Sequence, residues 1–160
     1  MERTGRIEHI HVAADSGEPM EAREAVEAVA GRGLRGDRYF ENRGLWNVLD
    51  EEGDTQEASQ VTLIEREVLD ALERDFGVSL DPGRHRRNVT TRGVALNHLV
   101  GERFRVGEAV CEGVGLCEPC GYLQSMTGEA DLAKHLAHRG GLNARVVESG
   151  TVAVGDAVRW

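Results

Sequence analysis

Lysine is almost missing from this chain. Of its 19 basic residues only Lys134 is a lysine, and the other 18 are arginines. Cysteine is scarce as well: there are three, an odd number that argues against the disulfide framework of a secreted protein. No apolar run approaches the ~20 residues needed to span a bilayer. The opening Met1-Glu2-Arg3-Thr4 lacks the basic-then-apolar order of a secretory signal. Positive charge is in deficit: the formal net charge is −9, which excludes a nucleic-acid backbone as the expected partner, since that partner requires a basic face. There is no Rossmann glycine pattern and no iron–sulfur cysteine set, so any reductase chemistry needs an outside electron donor. These absences leave a soluble, cytoplasmic protein with no membrane association as the expectation.

What is present fits one domain. The 160 residues, 40% of them hydrophobic, match a single unit of roughly 100–200 residues and can bury a core without disulfides. Residues 7–12 alternate apolar and polar and predict a first strand. Ala22, Ala25, Val26, Val29 and Ala30 keep helical spacing. Residues 42–59 are polar and acidic and read as an exposed loop. Val61-Thr62-Leu63-Ile64 opens an expected helix, with Thr62 and Glu65 as a capping box, an apolar face of Ile64, Val68, Leu69, Leu72 and Phe76, and Gly77 as its stop. A second helix is expected over about 128–138, capped by Thr127, with Leu132 and Leu136 inward. Arg105-Val106-Gly107-Glu108-Ala109-Val110 and Ala153-Val154-Gly155-Asp156-Ala157-Val158 echo each other, each as two strands on a glycine-acid turn. Many short strands, few helices and frequent glycine turns predict a mainly β domain with flanking helices, a barrel.

Two stretches carry candidate chemistry. The first is Gly113 through Leu123, which holds Cys117-Glu118-Pro119-Cys120 between glycines. A thiol there can ligate a metal, carry sulfur or fill a core. A structural zinc site needs four ligands; no second C-x-x-C exists, and only His135 and His138 offer more. A thioredoxin-like pair would open a helix in a βαβ pattern, which the chain does not show. Buried structural thiols are the plain alternative. The second stretch places Arg84, Arg86, Arg87 and Arg92 within nine positions, interleaved with Asn88, Thr90 and Thr91. Charge runs are usually solvated, but guanidinium forks beside hydroxyls and backbone N–H groups also cradle phosphate, and Gly36-Asp37-Arg38 adds another arginine. Soft thiolate and phosphate-binding groups together point to a ligand with both ends, as in the pterin dithiolene of the molybdenum cofactor.

The chain resembles a small standalone MOSC domain, the module at the C-terminus of molybdenum cofactor sulfurases. The likeness covers about 31–158. It rests on Gly33-Leu34-Arg35-Gly36-Asp37-Arg38, Gln60-Val61-Thr62-Leu63-Ile64, Arg86-Arg87-Asn88-Val89-Thr90-Thr91-Arg92-Gly93, Glu118-Pro119-Cys120 and the closing Gly155-Asp156 turn. The resemblance implies a MOSC-type β-barrel over the whole chain, with 20–30 as strand rather than helix. It implies Cys120 as metal ligand and reactive thiol, with Cys117 able to resolve a persulfide. Arg86 and Asn88 are implied as cofactor-binding, and Thr91, Arg92, Arg38 and Asp37 complete the expected cofactor set. Molybdopterin is the implied cofactor, and a cysteine desulfurase or an external electron donor the implied partner. The expected function is binding the pterin cofactor or carrying its sulfur, with reduction of N-hydroxylated compounds as one use. A non-catalytic module for a phosphorylated or anionic ligand, with structural cysteines, is the alternative. Pyridoxal phosphate belongs to the family's fused members only, since Lys134 makes no convincing Schiff-base site.

Overall fold

The computed structural model of the chain describes residues 1–15, 17–40, 60–81, 83–119 and 121–160. The opening strand, β1 (Thr4–Val12), turns Ile7, Ile10 and Val12 into the core. That spacing breaks the two-residue period because a bulge between Ile7 and His9 shifts its register against β6 (Val89–Arg92), as an extra unpaired residue does. Around the wall follow β5 (Val61–Glu65), β9 (Leu142–Glu148), β8 (Ala109–Leu116), β7 (Arg103–Val106) and β11 (Ala157–Arg159). β11 pairs back onto β1, Thr4 opposite Arg159, and closes a seven-stranded barrel. Among the described residues every pairing between strands is antiparallel except β5 with β6. That parallel pair needs a crossover, and α1 (Arg66–Phe76) supplies it. β2 (Glu21–Ala22) extends the far end of β1, while β3 (Ala25–Val29), β4 (Gly33–Leu34) and β10 (Gly150–Ala153) form a small separate sheet.

Two cores result. Leu63, Val89, Leu96, Phe104, Leu142 and their neighbours fill the barrel. Ile64, Leu69, Leu72, Leu123, Leu132 and Leu136 fill a second layer between the wall and the helices α1, α2 (Gly121–Thr127) and α3 (Leu132–His135). No helix among the described residues is long and apolar enough to cross a membrane.

The structure corrects several sequence expectations. Residues 22–30 hold strands β2 and β3, not a helix, as the MOSC resemblance implies. The expected helix at Val61 begins five residues later, because 61–65 pairs with two strands; no side chain caps α1, so the Thr62–Glu65 box does not form, while Gly77 does end it at φ 67°. Of the second helix, expected over about 128–138, only the single turn α3 forms; α2 precedes that range and was not expected, and Thr127 is its last residue rather than the cap of α3. Leu132 and Leu136 are buried as expected. Gly107-Glu108 does join a hairpin. Its echo does not: β10 pairs with β3 and β11 with β1 and β7, so Gly155-Asp156 hands the chain from one sheet to the other. The expected acidic loop, 42–59, lies outside the described residues.

Candidate functional site

At one end of the barrel, where β8 runs out and β9 begins, the cysteine-bearing turn is laid on a glycine pair. The Cys117 N–H donates to the Gly141 carbonyl at 2.8 Å. Gly140 lies so close beneath the turn that a Cβ on it would stand 2.5 Å from the Cys117 carbonyl oxygen and 2.9 Å from Pro119 Cδ. No larger residue fits there.

Arg87 fastens this shelf. The residue is 8% exposed, and its guanidinium donates from Nε to the Gly140 carbonyl at 2.8 Å, from Nη2 to the Cys117 carbonyl at 3.1 Å and from Nη1 to the His85 carbonyl at 3.4 Å. The planar fork matches three carbonyls that the turn and barrel rim leave without strand partners. The Arg87 backbone N–H donates to His85 Nδ1 at 3.0 Å, so the ring proton lies on Nε2, facing Thr90 Oγ1 at 3.3 Å. Burial, followed by the charge of Arg87, pushes the His85 pKa down to about 3, and the ring is a fixed neutral tautomer.

The residue before it points elsewhere. Arg86 adopts a left-handed backbone (φ 65°), which turns consecutive arginines apart, and its Nη1 donates to the Glu18 carbonyl. Arg38 bridges back: its Nη2 donates to the Arg86 carbonyl at 3.4 Å and its Nη1 to Asp37 Oδ1 at 3.0 Å, with Met20 Sδ at 3.6 Å. The Arg38 guanidinium lies 4.5 Å from the Tyr39 ring centre. Burial raises the Tyr39 pKa; Arg38 opposes it, Cys117 and Asp37 add to it, and Arg87 opposes it. The phenol thus shares one electrostatic neighbourhood with both arginines and the Cys117 thiol.

Beside this lies a cleft of about 270 Å³ lined by Met20, Gly83, Arg84, Arg86, Met126 and Thr127, with Pro19 at its edge. α2 leads from the cysteine turn to it, and Arg84 Nη2 donates to the Thr127 carbonyl at 2.6 Å. Gly83 (φ 88°) forms the floor; a Cβ there would come within 3.1 Å of the His11 ring and 3.2 Å of Met20. Guanidiniums, thioethers and a neighbouring thiol-bearing turn suit an anionic group that also carries sulfur or a soft metal.

The sequence-derived residues fall into three places. Arg38 and Arg86 stand at this end, and Cys117 is on the shelf. Asp37, Asn88 and Thr91 are fully buried and hold backbone. Asp37 accepts from the Ala13 and Tyr39 N–H groups. Asn88 accepts from Thr62 and donates to the His11 carbonyl, and the Thr91 hydroxyl donates to the Ile64 carbonyl. Arg92 pairs with Glu8 and Asp70 on the α1 side, away from the cleft's lining. Cys120 lies outside the described residues. Cys111 is a core residue whose thiol burial pushes up to about 12. His135 stacks on Phe76 at 3.7 Å and His138 meets Glu118; no metal-capable group of three gathers among the described residues. Sequence reasoning missed His85, Tyr39 and Gly140, and read Arg87 only as one member of the arginine run. The Gly-Gly pair was visible, but only as a helix stop.

This arrangement, a closed β-barrel with an arginine-fastened cysteine turn at its rim, defines a class. The MOSC domain model matches residues 35–159, and the chain belongs to the MOSC domain family. The fold is similar to that of the YuaD protein from Bacillus subtilis (TM-score 0.78, 22% identity, covering 99% of this chain and 96% of that one). It is also similar to YiiM from Geobacillus stearothermophilus (0.69, 17%, 98% and 74%) and YiiM from Escherichia coli (0.64, 19%, 96% and 68%). No curated protein matches the chain.

Proposed function

We propose that this MOSC domain binds the molybdenum cofactor, with its anionic end held by Arg86, Arg84 and Arg38 and its soft end met by the Cys117–Cys120 turn. The observation that supports this most directly is that one segment, 84–87, lines the cleft with Arg84 and Arg86 and fastens the cysteine turn through Arg87, with Arg38 bonded to the Arg86 carbonyl. The bound cofactor would supply a sulfur-ligated metal able to exchange electrons or a terminal sulfur. The chain's own residues do the rest. Arg87 and Gly140 fix where the turn lies, Arg38 and Asp37 fix Tyr39 beside Cys117, and Asn88 and Thr91 hold the arginine segment to the wall. Cys120 is the proposed ligand or sulfur-bearing thiolate and Cys117 its resolving partner. In the carrier version a cysteine desulfurase supplies the sulfur. In the reductase version an external donor supplies electrons for N-hydroxylated compounds. Both place the protein in the cytoplasm.

The test is elemental analysis of the full chain produced with and without cofactor biosynthesis. Near-stoichiometric molybdenum is expected only in the first case, lost in Cys120→Ser and lowered in Arg86→Ala. Background molybdenum in the wild-type chain would overturn the reading.

A further inference from the structure

On the outer wall, β7 and β11 set Arg105 directly opposite Arg159. Opposed like charges on neighbouring strands are unfavourable, and elsewhere the barrel resolves such meetings in one way. Arg6 opposes Arg92, and Glu8 on the same wall touches both. Arg103 and Arg145 flank β8, and Glu112 between them touches both, at 3.2 and 3.1 Å. Among the described residues no carboxylate touches both members of the Arg105–Arg159 pair. Among the described residues Arg105 makes no ion pair, and Arg159 reaches only Glu2, at 3.9 Å.

The register explains the gap. Glu112 sits on β8 across from Arg103; the equivalent position across from Arg105 is Val110. The next residue in that row, Glu148 on β9, is two strands from Arg105, about 10 Å at the strand spacing. Two concavities flank the pair and share its arginines: one of about 340 Å³ with Gly107, Glu108, Thr151 and Asp156, the other of about 250 Å³ with Glu2, Arg103, Phe104 and Trp160. The carboxylates in the first, Glu108 and Asp156, form no ion pair with either arginine, and Asp156 Oδ2 accepts the Ala153 N–H.

We infer that Arg105 and Arg159 form a binding site for a small organic oxyanion, a carboxylate or phosphate head group taken from solution where the other arginine pairs carry a glutamate of the chain. The site is on the barrel wall and independent of the cysteine turn. Cross-strand partners share one face of the wall, so both forks can reach one head group, and the flanking concavities give room for the remainder of the molecule.

The experiment is an NMR titration of the full chain with succinate and, separately, inorganic phosphate, following the arginine Nε–H signals. Saturable shifts at Arg105 and Arg159 with either probe are expected, and the tighter probe names the head group. Arg105→Ala should weaken binding about tenfold or more, as loss of a charge-assisted hydrogen bond does, while Arg6→Ala, which removes the same charge from a bridged pair, should not. Val110→Glu should supply the missing carboxylate within the chain and abolish binding without loss of folding. Shifts that follow ionic strength alone, equal weakening by Arg6→Ala, or undiminished binding in Val110→Glu would each overturn the site.

Discussion

Arg87 shows how a charged side chain becomes structural. Its fork satisfies three carbonyls at once, so Arg87→Ala strands buried acceptors as well as removing a cation. The expected loss is on the order of 3 kcal/mol, read as a lower midpoint in urea unfolding. Arg87→Lys should recover little, because a point charge cannot reach three acceptors in a plane. His85 beside it gives the protein an acid limit. The folded pKa of about 3 lies below the ordinary 6.5, and burial lowers that of His11 too. The native state therefore holds fewer protons than the unfolded chain. The His85 contribution is full above pH 6.5 and declines as pH falls toward 3, by at most about 1.4 kcal/mol per pH unit, and His11 acts in the same direction. Between pH 6.5 and about 5 most carboxylates have yet to titrate. In that window His85→Gln should show a visibly shallower slope in urea unfolding at stepped pH; an unchanged slope would mean His85 is not the source.

Elements tell which parts of the sequence could be read and why. β1 was plain from the apolar–polar alternation of residues 7–12, although a bulge shifts which of them face the core, and the β7–β8 hairpin from the glycine-acid turn that marks its reversal. β5 was not. Val61 and Leu63 face the barrel interior while Ile64 faces the helical layer, so its run is apolar on both sides, and a doubly covered strand leading into α1 looks like the first turn of that helix. The site divides the same way. Its arginines and cysteines were visible as types, but the shelf that positions them depends on contacts between residues 87, 117 and 140, which no local pattern reports. Gly140→Ala tests that shelf. The added methyl meets a backbone oxygen at 2.5 Å and must displace the turn, so alkylation kinetics at Cys117 should change more than global stability does. In the wild-type chain Cys111 should resist alkylation under native conditions, its thiol being buried and pushed up to about 12, while Cys120 is expected to label first.

For the molecule as a whole, stability rests on closing the wall. Gly5 sits where β1 passes β6 and β11, and a Cβ there would lie 2.5 Å from Val94 Cγ2 and 2.6 Å from the Arg92 carbonyl oxygen. Gly5→Ala should cost about 1–3 kcal/mol, a fall of several degrees in Tm at roughly 2–4 °C per kcal/mol for a chain of this size. The closing contact also orders events in time. Thr4 finds Arg159 only after nearly the whole chain has been made, and contacts of such long sequence separation form slowly. A growing chain can assemble α1 on β5 and β6, and then the β7–β8 hairpin, but a nascent chain that stops short of residue 157 has six wall strands and an open seam.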